Sequence, residues 1–177
     1  MVVGVRLSCT CGEGGYDFEE TKRLALQLQE LGIDYYHATG GPPPVPGQKR
    51  KDGALLEYTK ELTKILKVPV ITPSVREPEL AEQAVVEGWT DMVSTAHPMI
   101  ADPEFVNKVK ENRLDDINKC TACGLCQVGD PMGIVLPARC SVNPEVGFER
   151  YNPKYQIRKG FSKANMLPYV LRKKQYP

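Results

Sequence analysis

The stretch KCTACGLCQVGD, residues 119–130, sets Cys120, Cys123 and Cys126 two residues apart, and Cys140 follows after thirteen intervening residues in ARCSVNP. Four thiols so placed can hold an iron–sulfur cluster, hold zinc, or form disulfides. The choice decides whether the chain handles electrons. A second pair, Cys9 and Cys11 in LSCTCGEGG, can ligate a metal, act in thiol redox chemistry, or be two small residues side by side by chance; the last is the simplest reading. A ligand set joining them to His37 or His97, the only histidines, rests on proximity alone. Arg6 breaks the apolar run VVGVRLS, so a cation stands at the end of a buried segment or pairs at the surface.

The elements that must position these groups follow one rhythm over the first 115 residues: a short β-branched run, a Gly/Pro/Ser-rich loop, then an amphipathic stretch. Strands are expected at 2–8, 33–38, 68–72 and 91–95, with helices at 18–32, 54–67, 77–88 and 103–113. In the first helix Leu24, Leu28 and Leu31 form the expected apolar face, with Gly32 as the stop. TGGPPPVPGQKRKDG is a long loop whose prolines forbid a helix. Its Lys49, Arg50 and Lys51 suit plain solvated loop better than a lid for an acidic group. Asp102 is expected as N-cap and Pro103 as first residue of the fourth helix. Four βα units in a row imply parallel strands with helical crossovers. Either a small doubly wound sheet or half of an eight-stranded βα barrel satisfies that pattern.

At 177 residues the chain is long enough for a core of its own, and its net charge of +1 gives no overall pull toward nucleic acid or a membrane. No apolar window approaches the ~18 residues of a membrane span, and the first residues lack the order of a signal peptide. A cytoplasmic, reduced protein is expected, where clustered cysteines serve metals or redox chemistry more often than disulfides. Residues 151–177 hold seven Lys/Arg and no Asp or Glu, a solvated basic tail or a docking arm for an acidic partner.

VPVITPSVREPELAEQAVVEGWTDMVSTAHPMIADPEF, residues 68–105, resembles the last two βα units of the old yellow enzyme family of flavin-dependent βα barrels. NKCTACGLC…ARCSVNPEVGFE is similar to the cluster segment of its iron–sulfur branch, which includes 2,4-dienoyl-CoA reductase and trimethylamine dehydrogenase. VGVRLS and DYYHATGG resemble the fifth and sixth barrel strands. The resemblance implies an α/β fold: half of a (β/α)8 TIM-type barrel over residues 1–115, a [4Fe–4S]-binding segment over 116–150, and a basic docking tail over 151–177. The cysteine gaps of two, two and thirteen depart from the dienoyl-CoA reductase pattern and lie closer to the amine dehydrogenase one. Three closely spaced cysteines suit a loop wrapped on one cluster, with the distant fourth closing it; zinc more often shows two separated pairs.

The resemblance assigns Cys120, Cys123, Cys126 and Cys140 to a [4Fe–4S] cluster, and Arg6, Ser74, Ala96 and His97 to FMN. Arg6 would face the pyrimidine edge of the flavin, and the phosphate would lie at the ends of the last two strands. The family usually has glycine in the first of those loops and Gly-Arg or Ala-Arg in the second, where this chain has Pro73-Ser74 and Ala96-His97. Proline removes an N–H, and His is a titrating donor where Arg is a permanent fork. The catalytic residues stay unassigned. The aromatic box expected for a cationic amine substrate finds no aromatic residue near 40–52 or 127–133, and Trp89 reads as structural.

The first four barrel strands and the family's further nucleotide-binding domains are not among residues 1–177, and no Gly-rich βα fingerprint is present. A half barrel would leave two strand edges and an apolar inner face uncovered. The expectation is therefore a second polypeptide supplying the N-terminal half barrel in a hetero-oligomer; two copies of this chain pairing is the weaker option. The expected function is an iron–sulfur subunit of a split flavin-dependent oxidoreductase acting on a small enoate- or enoyl-type substrate, in either direction. The alternatives are a non-catalytic electron-transfer or scaffold subunit that has lost its flavin site, and a zinc-stabilised binding module.

Overall fold

A computed structural model of the chain describes residues 1–12, 14–40, 51–127 and 138–148. These fall into two compact units, Met1–Cys123 and the residues from Gly124 onward. The basic tail, most of the 40–52 loop and residues 128–137 lie outside the described residues.

The first unit carries β1 (Gly4–Ser8), α1 (Phe18–Glu30), β2 (Tyr35–Thr39), α2 (Leu56–Ile65), β3 (Val70–Pro73), α3 (Pro78–Val86), β4 (Met92–Ser94), α4 (His97–Ala101) and α5 (Phe105–Lys110). The four strands form one parallel sheet in the order β1-β2-β3-β4. That order decides between the two architectures. A doubly wound sheet reverses its strand order at a switch point and so places helices on both faces. Here the order never reverses, and right-handed crossovers put α1, α2 and α3 on the same side, as in a barrel.

The core lies between that side and the helices. Cys9, Tyr36, Ala38 and Val70 pack with Ala25 of α1 and with Leu55, Leu62 and Leu66 at α2, joined by half-buried Val5 and Leu7. A second cluster joins Leu56, Val75 and Ala84 to Leu80, Trp89 and Val93. Trp89 is thus structural, with the Lys60 ammonium 4.7 Å from the centre of its ring. Buried hydroxyls pin the strands together: Thr72 Oγ1 donates to Thr90 Oγ1 at 2.8 Å, and Thr90 Oγ1 lies 2.8 Å from the Val70 carbonyl oxygen.

Three local expectations change. The buried face of α1 is Thr21 and Ala25 rather than the leucine stripe, and Leu24 and Leu31 are exposed. Small residues let the helix come close to the sheet, and the Thr21 hydroxyl reaches the Cys9 carbonyl at 3.0 Å just past β1. Asp17 begins α1 with a reciprocal capping box to Glu20. Asp102 is not the N-cap of the last helix, which is Glu104; it lies buried after a separate short helix, α4, that the sequence pattern did not show. The helix-free face is also not uniformly apolar, as the next section shows.

Among the described residues of the second unit, a 3-10 turn spans Leu125–Gln127, and Asn143 Oδ1 accepts the Glu145 amide at 3.1 Å with Val146 buried nearby in sequence. Among the described residues no helix is long and apolar enough to cross a membrane.

Candidate functional site

Paired residues of a parallel sheet point to the same side, and the register pairs Gly4 with Tyr35, Arg6 with His37, and Ser8 with Thr39. It continues from His37 to Ile71, from Ile71 to Met92, and from Pro73 to Ser94. All of these belong to the face opposite the helices. Near the carboxyl ends of the strands they form a polar group: Arg6 Nη2 donates to Thr39 Oγ1 at 3.0 Å, and His37 Nε2 lies 3.0 Å from Ser94 Oγ, spanning β3. One level lower, the Tyr35 ring lies over Gly4, where a Cβ would come within 2.0 Å of it. Glycine at that position is what lets the ring lie flat on the sheet.

Burial lowers the His37 pKa, and the positive charge of Arg6 lowers it further. The imidazole is therefore neutral near pH 7, with one N–H and one acceptor nitrogen. Arg6 is exposed and keeps guanidinium donors beyond the one given to Thr39. The pair makes a fixed cation beside a neutral hydrogen-bonding ring. Sequence reasoning singled out Arg6 but gave His37 only a doubtful metal role and missed Thr39 and Ser94. The alternation Tyr-x-His-x-Thr in DYYHAT was the available signal, since every second residue shares a face.

The loops beyond the strands hold the other expected contacts. Ser74 has φ +65°, a left-handed backbone that favours glycine, and its carbonyl accepts the Gly53 amide at 3.2 Å. Asp52 fixes this loop: its carboxylate accepts the amides of Arg76 at 2.7 Å and Glu77 at 3.0 Å, with Arg76 Nε 3.7 Å away. Ala96 is exposed and half-buried His97 opens α4. Ser74 follows β3 and Ala96-His97 follow β4 on the neighbouring strand, so the structure places these expected residues at one end of the sheet.

Cys9 and Cys11 do not share an environment. Cys9 is fully buried among the helix-side apolar residues, and burial pushes its thiol pKa up to about 12. Cys11 is exposed. A thiol so hard to ionise is a poor ligand and a poor nucleophile, which leaves Cys9 a packing role.

No disulfide joins the four clustered cysteines. Cys120 is half-buried in the first unit, and its Sγ accepts the Ala122 amide at 3.4 Å. Ala122, at φ +52°, turns the chain back toward that sulfur. Amide donation to sulfur spreads the negative charge of a thiolate, and it suits a cluster-ligating or zinc-ligating loop. Cys126 lies in the 3-10 turn of the second unit and Cys140 is half-buried there. Among the described residues no three His, Cys, Asp or Glu side chains converge on one metal position. A cavity of about 470 Å³ lies elsewhere, lined by Val75, Ala81 and Val93 with Phe105, Val106 and Val109 of α5.

No protein-family model matches the chain. It is similar at 37% identity over 143 residues to an NADH oxidase of Thermoanaerobacter brockii, covering 77% of this chain and 22% of that protein. A cinnamate reductase of Clostridium sporogenes is 32% identical over 165 residues, covering 90% of this chain and 24% of that protein. Among solved structures, a 2-naphthoyl-CoA reductase in complex with 2-naphthoyl-CoA superposes with a TM-score of 0.72 at 32% identity, covering 89% of this chain and 25% of that one. The chain thus spans about a quarter of the length of these relatives.

Proposed function

Because the chain belongs to the old yellow enzyme-like NADH:flavin oxidoreductase family, we propose that it is the cluster-bearing part of a cytoplasmic flavin-dependent oxidoreductase, passing electrons between a [4Fe–4S] cluster and FMN. The substrate class is a conjugated carboxylate or thioester whose C=C bond is reduced, or the reverse. Similarity to proteins named for cinnamate and for 2-naphthoyl-CoA supports that class. β1 and β4 pair on one side only among the described residues, which leaves an edge on each for further barrel strands.

The observation that carries the proposal is the Arg6–Thr39 and His37–Ser94 group on the helix-free face at the carboxyl ends of the strands, where barrels of this kind do their chemistry. Bound FMN would supply hydride chemistry and a bound cluster one-electron transfer. What the chain itself supplies is placement. Thr39 orients Arg6, whose free donors would stabilise negative charge developing above the strands. His37, held neutral, adds no second cation and so does not oversaturate that charge. The Ser74 hydroxyl and the His97 imidazole are available as phosphate donors, while Pro73 offers no N–H. Cys120, Cys123, Cys126 and Cys140 would hold the cluster.

The test is anaerobic reconstitution of the chain with iron, sulfide and FMN, together with a polypeptide carrying the complementary strands. The expected product contains about four iron per chain, the metal count of a [4Fe–4S] cluster, and shows flavin absorbance peaks over a broad violet-blue band. Replacing Cys126 or Cys140 by serine is expected to remove the broad band. Zinc and no colour would refute the cluster assignment. Iron and sulfide without flavin would refute the FMN assignment and leave the second reading, a non-catalytic electron-transfer subunit, which Pro73 and the His97 substitution for arginine favour.

A further inference from the structure

We infer that Asp102 is a positioning residue for Cys120: one buried carboxylate ties the turn after α4 to the segment that leads into the cysteine loop. Asp102 is 2% exposed. Its Oδ1 accepts the Glu104 amide at 3.0 Å, which closes the turn. Its Oδ2 accepts both the Lys108 ammonium at 2.7 Å and the Asn118 amide at 2.9 Å. Lys108 also donates to the Asp116 carbonyl at 2.8 Å, so one ammonium grips the same segment a second time.

Asn118 lies two residues before Cys120, and two residues of chain reach at most about 7 Å. The tie therefore confines the Cys120 sulfur to a small region beside Pro78, Pro98, Phe105 and Ile117, which line one recess with it. The other contact in this stretch, Lys119 to Glu77 at 3.1 Å, is between exposed side chains and contributes little by comparison. A ligand held in place before binding loses less freedom when the site closes. The role of Asp102 toward a cluster rests on the function proposed above; its role toward the sulfur does not.

Wild-type full-length chain is compared with Asp102→Asn and Asn118→Pro. Asn118→Pro removes the amide donor together with an exposed carboxamide side chain, and Ile117, with ψ 126°, already has the backbone a residue before proline needs. The Lys108 and Glu104 contacts remain, so this variant keeps the fold if Asp102→Asn does not. The first readout is alkylation of Cys120 in the metal-free, reduced chain, by mass spectrometry, with exposed Cys11 as internal reference. Loss of a hydrogen bond to a charged group predicts a rise of about tenfold or more in the Cys120 rate. The second is the half-life of the violet-blue band of reconstituted protein under a chelator, expected to shorten by a similar factor. Unchanged Cys120 alkylation in a folded variant overturns the inference. A wild-type chain that takes up no iron and sulfide overturns the function instead, and the alkylation contrast still decides the role of Asp102.

Discussion

The hydroxyl pair that pins β3 to β4 permits a double-mutant cycle with a definite outcome. Thr72 and Thr90 are both buried, and the Thr72 hydroxyl has Thr90 Oγ1 as its acceptor at 2.8 Å. Thr90 in turn lies 2.8 Å from the Val70 carbonyl oxygen and 3.0 Å from that of Met92. Thr72→Val removes one hydrogen bond and leaves Thr90 with carbonyl acceptors, a cost of about 0.5–1.5 kcal/mol. Thr90→Val removes the shared hydroxyl and leaves the Thr72 O–H buried without an acceptor; with the lost bond this costs about 2–3 kcal/mol. The Val70 carbonyl keeps the Asp91 amide at 3.0 Å, so the larger figure comes from the stranded hydroxyl. In the double variant no hydroxyl is stranded, and valine keeps the branched shape that strands favour. Its cost is expected below the sum of the singles by about 1–2 kcal/mol. Urea denaturation followed by circular dichroism resolves this, because at about 1–3 kcal/mol per molar urea the Thr90→Val midpoint moves by roughly 1 M. Additive costs would show that the two hydroxyls do not depend on each other.

Ser74→Gly relieves a left-handed backbone that costs a residue with a side chain about 1–2 kcal/mol, offset by about 0.5–1 kcal/mol of glycine entropy. A rise in melting temperature is expected, whereas Ser74→Val should lower it; equal melting temperatures would contradict the strain. For His37 the folded pKa is depressed by burial and by Arg6. The unfolded chain therefore binds the proton more tightly, and stability is lost as pH falls below the unfolded value of about 6.5 toward the folded one. His37→Gln should flatten that segment of a denaturation-midpoint profile between pH 7 and 5, and an unchanged slope would assign it to other groups.

The fold was legible because each βα unit announces itself locally. Val5, Leu7, Tyr36, Ala38 and Val70 pack where period-two alternation puts them, and the prolines and glycines mark the boundaries. Strand order was not legible from periodicity, since it depends on contacts between segments about twenty to thirty-five residues apart. Leu24 and Leu31 misled because hydrophobicity alone ranks them above Thr21 and Ala25, while the close approach of α1 to the sheet selects small side chains. Arg6 was found because a charge inside an apolar run is conspicuous. Ser94 and Thr39 were not, because a hydroxyl in a strand reads as ordinary until the register shows what lies opposite. Asp102 was noticed for the wrong reason: Asp-Pro signals a helix start, but the carboxylate turns back to collect an amide sixteen residues away.

The polar character of the helix-free face bears on how the remaining strands would join it. Had that face been wholly apolar, its burial would itself drive association, at about 25 cal/mol per Å². Arg6, Ser8, His37, Thr39 and Ser94 supply no such drive, and covering them without partners would cost free energy. Strands completing such a sheet would be held instead by the edges of β1 and β4, unpaired among the described residues, and by the apolar groups beside them, such as Val2, Val3 and Met92, all exposed. The polar group is left for another purpose. Interiors of βα barrels are filled mainly by branched aliphatic side chains, and the departures from that rule lie toward the carboxyl ends of the strands, where ligands are met. A cation, a neutral imidazole and three hydroxyls at that level, above a layer closed by Tyr35 on Gly4, have the distribution of a site floor rather than of a core.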